Sequence, residues 1–200
     1  MLFRSDIVAA LRGRYGNVVI HEGDALQFDF SSLGANLRVV GNLPYNISTP
    51  LLFHLVTYAA HIRDIHVMLQ KEVVERMVAQ PGGGEYGRLS VMLQYRFDME
   101  KVLDVGPEAF YPQPKVDSAV VRMTPRAVIQ PAPLDEAVFA RVVMTAFSQR
   151  RKTLRNTLRG TMDDADFVAL AIDADARAQT LSVSDFVGLA NRVVERAEKP

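Results

Sequence analysis

An α/β domain followed by a small all-helical domain is the fold class this sequence predicts, on three observations. Short apolar runs such as "LRVVG" and "DIHVMLQ" alternate with amphipathic stretches, as strands buried under crossover helices do. Two further strand-like segments, "EKVLDVGP" and "DSAVVRMT", follow one another with no helical pattern between them, which suggests an antiparallel pair at a sheet edge. Beyond the linker-like "PRAVIQPAP" every remaining pattern is helical. The expected division is residues 1–125 for the sheet-bearing domain and 126–200 for the helical one.

Each element has a local reason. "SDIVAALRGR", residues 5 to 14, sets Ile7, Val8 and Leu11 on one side of a helix. "NVVIH", residues 17 to 21, is expected as a short strand stopped by a Gly-Asp turn. "LRVVG" is the next strand, and its unbroken apolar centre fits one covered on both faces. In "STPLLFHLVTYAA", Thr49 suits a helix N-cap and Pro50 the first helical position, where its missing N–H costs nothing. "DIHVMLQ" is a strand, "KEVVERMVA" a helix and "YGRLSVMLQYRF" another. Between those helices "PGGGE" reads as a surface loop, since it lacks the Gly-Lys-Ser/Thr ending of a phosphate loop. "EAFYPQPKV" holds too much proline to be helical. "DEAVFARVVMTAF", "RKTLRNTLRG", "ADFVALAI" and "SDFVGLANRVVERA" supply the tail helices.

Composition removes several function classes. Twenty-three basic residues balance 23 acidic ones, so any nucleic-acid surface must be local. There is no cysteine, and His21, His54, His61 and His66 form no i,i+4 pair, so no metal centre is expected. No apolar run reaches the roughly 18 residues of a membrane span. The opening "MLFRSDIVAALRGRYG" lacks a signal-peptide pattern, and the expected location is cytoplasmic.

Chemistry concentrates in "GNLPYN". At the carboxyl end of a parallel strand, side chains face the crevice where α/β sheets bind ligands. The Asn42 carboxamide can accept one amino hydrogen while the carbonyl of Leu43 or Pro44 accepts another. Pro44 stiffens the turn, and Tyr45 offers a flat face at its rim. Two acceptors and an aromatic grip an exocyclic amine on a planar ring and draw its lone pair out of conjugation. The same letters also suit a plain strand-to-helix turn in which Asn42 caps and Tyr45 packs. Asp24, in "EGDAL", is placed to accept from an adenine amino group or a ribose, or is an ordinary turn residue after Gly23. Phe110 and Tyr111, set among prolines with Lys115 beyond, offer a stacking platform for unpaired bases, or guard an edge strand.

The clearest charge signal is "FSQRRKTLRNTLRG". Arg141, Arg150, Arg151, Lys152, Arg155 and Arg159 occur with no acid between residues 141 and 160. On a continuous helix, Val143, Phe147, Leu154 and Leu158 share one face while Arg151, Arg155 and Arg159 form a stripe. Such a stripe suits phosphate oxygens and points to nucleic acid, the alternative being a solvated face.

Five blocks, "GNLPYNISTPLLFHL", "HVMLQKEVVERMVA", "YGRLSVMLQY", "FYPQPKVDSAVVR" and "FSQRRKTLRNTL", together resemble the KsgA (RsmA) family of small-subunit ribosomal RNA adenine dimethyltransferases. The likeness runs from about residue 17 to the C-terminus. It implies a class I methyltransferase fold, Rossmann-like, with a small helical C-terminal domain, and S-adenosylmethionine as cofactor. The implied activity is dimethylation at N6 of two adjacent adenines in a hairpin near the 3′ end of the rRNA, within the 30S precursor. By the same resemblance Asn42, Leu43, Pro44 and Tyr45 are the catalytic motif and Phe110 lies on the other side of the flipped base. Asp24 and Ala25, with Asn42, face the cofactor. Arg150, Arg151, Lys152, Arg155 and Arg159, with Lys115, face the RNA.

The chain departs from that pattern at its start. Nothing glycine-rich precedes Asn17, and the family's ribose-holding acid aligns with Leu2. The expectation is an N-terminally truncated homologue lacking its first strands and binding cofactor poorly. Its two open sheet edges would invite pairing with each other or with a second copy. A non-catalytic rRNA-binding or assembly module is the alternative. DNA adenine and glutamine methyltransferases, with Asn/Asp-Pro-Pro-Tyr, would not share the later blocks.

Overall fold

The computed structural model describes residues 5–197. Its centre is a four-stranded mixed sheet built from β1 (Leu37–Asn42), β2 (Ile62–Gln70), β3 (Phe97–Val105) and β4 (Ser118–Pro125), in the spatial order β1-β2-β4-β3. β1 and β2 run parallel, joined by the crossover helix α2 (Ser48–Val56), as a parallel pair requires. β4 pairs antiparallel with both β2 and β3, which puts the predicted hairpin at the sheet edge. α3 (Lys71–Val78) and α4 (Arg88–Gln94) lie between β2 and β3 in sequence.

The alternation of β2 fixes what is buried. Ile65, Val67 and Leu69 are fully buried, and in register with them stand Met123, Val121 and Ala119 of β4. Against this face pack Leu52 and Leu55 of α2, Val74 and Met77 of α3, and Leu89 and Leu93 of α4. The reverse face carries Arg38, Val40, His66 and Arg122 and is largely open. β1 is therefore not covered on both sides as its apolar run suggested: Val40 is 72 % exposed. On that face the Asp64 carboxylate receives two bonds from the Arg38 guanidinium, at 2.7 and 2.8 Å. The Arg38 hydrogen bonds pull its pKa to about 2, against the opposing effect of burial.

The N-terminal stretch differs from expectation. The helix α1 (Ser5–Arg14) forms, but Asn17–His21 makes no strand, and Val18 and Val19 are exposed. Among the described residues the outer edge of β1 is unpaired. α2 also starts earlier than predicted. Its cap is Ile47 and its first residue Ser48, so Thr49 and Pro50 fall within the first turn, where the missing proline N–H is still harmless.

The C-terminal part consists of α5 (Glu136–Ala146), α6 (Leu154–Thr157), α7 (Asp164–Ala169) and α8 (Val183–Ala197). Asp135 caps α5 by accepting from Ala137 and Val138 N–H. Phe139, Val142 and Val143 of α5 bury against Phe186, Val187 and Ala190 of α8. Asp166 in α7 is 1 % exposed and is paired with Arg192 and Arg196 of α8. Burial alone would raise its pKa; the Asp163 N–H and the two guanidinium groups outweigh that and hold it below the usual range. α4 serves both cores: Leu89 and Leu93 face the sheet, while Val91, with Tyr86 and Tyr95 at its ends, faces the helical cluster. No described helix is long and apolar enough to cross a membrane.

Candidate active site and nucleic-acid interface

β1 delivers Asn42 to the end of the sheet, opposite Met68, and the Leu43 N–H carries the ladder one bond further, to the Met68 carbonyl at 3.1 Å. Leu43 is buried, which anchors the turn, while Asn42, Pro44, Tyr45 and Asn46 are exposed. The turn is closed locally. Ile47 N–H donates to the Pro44 carbonyl at 3.1 Å, and the buried Ser48 hydroxyl donates to the Tyr45 carbonyl at 3.1 Å. Pro44's carbonyl is thus already engaged, which leaves that of Leu43 as the freer acceptor beside Asn42. Among the described residues no group bonds to the Asn42 carboxamide.

A cleft of about 290 Å³ opens here, lined by Asn42, Leu43, Pro44, Tyr45, Phe110, Pro112 and Pro114. Residues 65 positions apart thereby meet across the end of the sheet: an unpartnered amide, two aromatic rings and rigid proline walls. Phe110 is half-buried, whereas the adjoining Tyr111 ring is fully exposed and takes no part in the cleft. The arrangement suits a flat ring bearing an amine. Lys115 lies next door, in a cleft of about 370 Å³ shared with Lys71, Glu72 and Glu75.

Asp24 and Ala25 line a separate, mostly apolar cleft of about 240 Å³ with His21, Gly23, Phe28, Phe30 and Leu33. The Asp24 carboxylate accepts from Leu26 N–H at 2.9 Å and retains unused lone pairs. One carboxylate among aromatic walls fits a purine with an exocyclic amine. This segment is held without a strand. Phe28 and Phe30 stack edge-on at 5.1 Å, and Phe30 meets His54 and Tyr58 of the α2 region at 5.7 and 5.5 Å. The His54 Nε2–H donates to the Phe28 carbonyl at 2.8 Å. Spacing alone missed this support; the recurring aromatics at 28, 30, 54 and 58 were its signal.

The basic helix is a correction. α5 stops at Ala146, Ser148–Thr153 is irregular, and α6 spans four residues, so Arg151, Arg155 and Arg159 form no stripe. The backbone turns away because Leu154 and Arg155 N–H bond the carbonyls of Ala176 and Ala174, both at 2.9 Å. Nor is the charge free of counter-ions: Arg155 pairs with Asp164 and Asp175. Arg151 and Lys152 remain exposed, as does Arg159, whose guanidinium among the described residues has only a long 3.4 Å contact to Asn156. Arg150 donates to the Gly84 carbonyl at 2.7 Å, and Gly82 N–H donates to Gln179. The glycine loop is therefore tied to the helical part. Arg150 shares a cleft of about 370 Å³ with Arg76 and Arg88, two cations from separate segments that no charge run could reveal.

The family described as ribosomal RNA adenine dimethylase matches residues 3–195. Ribosomal RNA small subunit methyltransferase A of Aromatoleum aromaticum is 59 % identical over 196 residues, covering 97 % of this chain and 74 % of that protein. Its counterpart in Thiobacillus denitrificans is 62 % identical over 183 residues, 90 % and 72 % of the two chains. Among solved structures, a dimethyladenosine transferase from Plasmodium falciparum superposes with a TM-score of 0.76 at 26 % identity, over 92 % of this chain and 74 % of that one. The 23S rRNA methyltransferase ErmE, at 22 % identity and TM-score 0.69 over 95 % of this chain and 79 % of that one, shares the fold. The chain belongs to the ribosomal RNA adenine dimethylase family, enzymes of the class I methyltransferase fold with S-adenosylmethionine as methyl donor.

Proposed function

We propose that this chain dimethylates N6 of two adjacent adenines in the 3′-terminal hairpin of small-subunit rRNA, acting on the 30S precursor in the cytoplasm. The observation that carries the reading is the single cleft in which the unpartnered Asn42 carboxamide meets Tyr45 and Phe110. An adenine extruded from its stack is sandwiched by the two rings. The Asn42 oxygen accepts one amino hydrogen and the Leu43 carbonyl the other, so the N6 lone pair leaves conjugation. Asp24 and Ala25 hold the adenine of the cofactor. S-adenosylmethionine, when bound, supplies an electrophilic methyl group. The protein's part is positioning, worth several orders of magnitude when geometry is held. Arg151, Lys152, Arg159 and Lys115 take the RNA phosphates, while Arg150 and Arg155 are engaged by Gly84 and by Asp164 and Asp175. The test is label transfer from S-adenosylmethionine to unmethylated small subunits: dimethyladenine at two neighbouring positions is expected, and no label above background refutes it.

The described residues offer the adenine end of a cofactor site but no glycine-rich turn for its methionine end. We propose weak cofactor binding by these 200 residues, which micromolar affinity in calorimetry would overturn. A second reading, supported by the exposed Arg151, Lys152 and Arg159, is rRNA binding without catalysis; RNA affinity in the absence of any transfer separates the two. The unpaired β1 edge with exposed Val40 supports self-association, checked by light scattering.

A further inference from the structure

Tyr45 is held at both ends. The buried Ser48 hydroxyl fixes its carbonyl, and at the far end its phenol shares a 3.1 Å hydrogen bond with the Ser118 hydroxyl. Ser118 is 1 % exposed and opens β4, where it stands in register with Gln70 of β2 on one side and Val105 of β3 on the other. It is thus fixed by two ladders. Tyr45 belongs to the turn after β1, so this bond reaches over the end of β2 and ties one wall of the cleft to the middle of the sheet. Among the described residues the Ser118 hydroxyl has no other partner, and a buried hydroxyl without one is costly. Tyr45 as a whole stays 39 % exposed and lines the cleft it shares with Phe110.

We propose that Ser118 is a positioning residue: its hydroxyl holds the Tyr45 ring in the plane that stacks on the target base. The inference rests on the reading of Tyr45 as a base-stacking residue and adds a reason for a phenol where a plain phenyl ring would stack equally well. A phenyl ring at position 45 swings about its side-chain torsions; a phenol tethered at its tip has one orientation.

The test uses the full chain with ring-labelled tyrosine and an RNA hairpin carrying two adjacent adenines. The Tyr45 signal is assigned by its loss in Tyr45→Phe. In the wild type, RNA should move that signal upfield by the ring current of a stacked base. In Ser118→Ala the shift should fall below half, and Ser118→Thr should restore it, while thermal unfolding reports whether each variant is folded. A full-sized shift in Ser118→Ala overturns the proposal. No shift in the wild type instead removes the stacking role of Tyr45, and the proposal with it. In label transfer at saturating cofactor, Ser118→Ala and Tyr45→Phe should each lower kcat about ten-fold with KM for RNA little changed. The double variant should be no worse than either single one, because both remove the same bond. Effects that multiply, or a loss confined to KM, overturn the assignment.

Discussion

The carbonyls of the turn at Pro44 and Tyr45 are taken up by neighbours in the chain, with Met68 and Ser118 as its two distant anchors, whereas the arginine-rich stretch at Gln149–Arg159 takes its defining ties from residues far from it. In the turn, Ile47 closes on Pro44 and Ser48 on Tyr45, each three residues away. In the arginine stretch, Ala174 and Ala176 capture the backbone, Asp164 and Asp175 capture Arg155, and Gly84 captures Arg150. A turn whose backbone closes locally keeps its main-chain path and needs distant help only for a side chain such as the Tyr45 ring. A stretch stapled by distant partners keeps only the geometry that the partners allow, and charges that look alike in sequence acquire different roles.

That contrast can be broken or sharpened by measurement. The largest effect is expected at the turn. Asn42→Ala should lower label transfer about 100-fold, by analogy with removing one fixed polar group from a reacting site, with the melting temperature unchanged. A matching loss of stability would make Asn42 a structural cap. Next comes Leu154→Ala, at the fully buried anchor of the arginine stretch. It should cost about 3 kcal/mol in denaturant unfolding, and a cost below about 1 kcal/mol would show that the site collapses around the lost volume. Third, Arg151→Ala with Lys152→Ala should reduce the slope of log affinity against log salt by about 2. Arg155→Ala should leave that slope unaltered because its charge is already spoken for by two aspartates. Equal effects from both would return Arg155 to the RNA face.

The smallest effect concerns acid. The Asp64 pKa is lowered to about 2, chiefly by its hydrogen bonds from Arg38. The folded form therefore holds fewer protons than the unfolded chain, whose carboxylates titrate near 3.9, roughly as free aspartate does. Stability from this pair is complete above that value and drains away as the pH falls toward 2. Asp64→Asn should flatten the unfolding curve in that window alone; an equal slope in both proteins would show the pair to be inert.

Much of the sheet and one of the two clefts were legible in the letters. The parallel β1–β2 pair, the β3–β4 hairpin and the switch to helices follow from pattern and proline placement, while the meeting of Asn42 with Phe110 was implied only by the family resemblance. Asn17–His21 was misread because three apolar residues can name a strand but cannot supply its neighbour. With no pairing partner, the following segment is held by ring contacts among Phe28, Phe30, His54 and Tyr58 instead. The arginine helix was misread because periodicity counts side chains and is blind to carbonyls arriving from residues 174 and 176. Arg76 and Arg88 were invisible for a related reason, since a cavity assembled from four segments leaves no run in any of them.

α4 has one further consequence. With Leu89 and Leu93 in one apolar cluster and Val91 and Tyr95 in the other, seven residues form a party wall. Heat or denaturant that melts the helical half strips that wall of its outer cover, and unfolding the sheet strips the inner one. The chain should accordingly melt in a single cooperative step, and a cut near residue 126 should yield two insoluble fragments rather than two working modules.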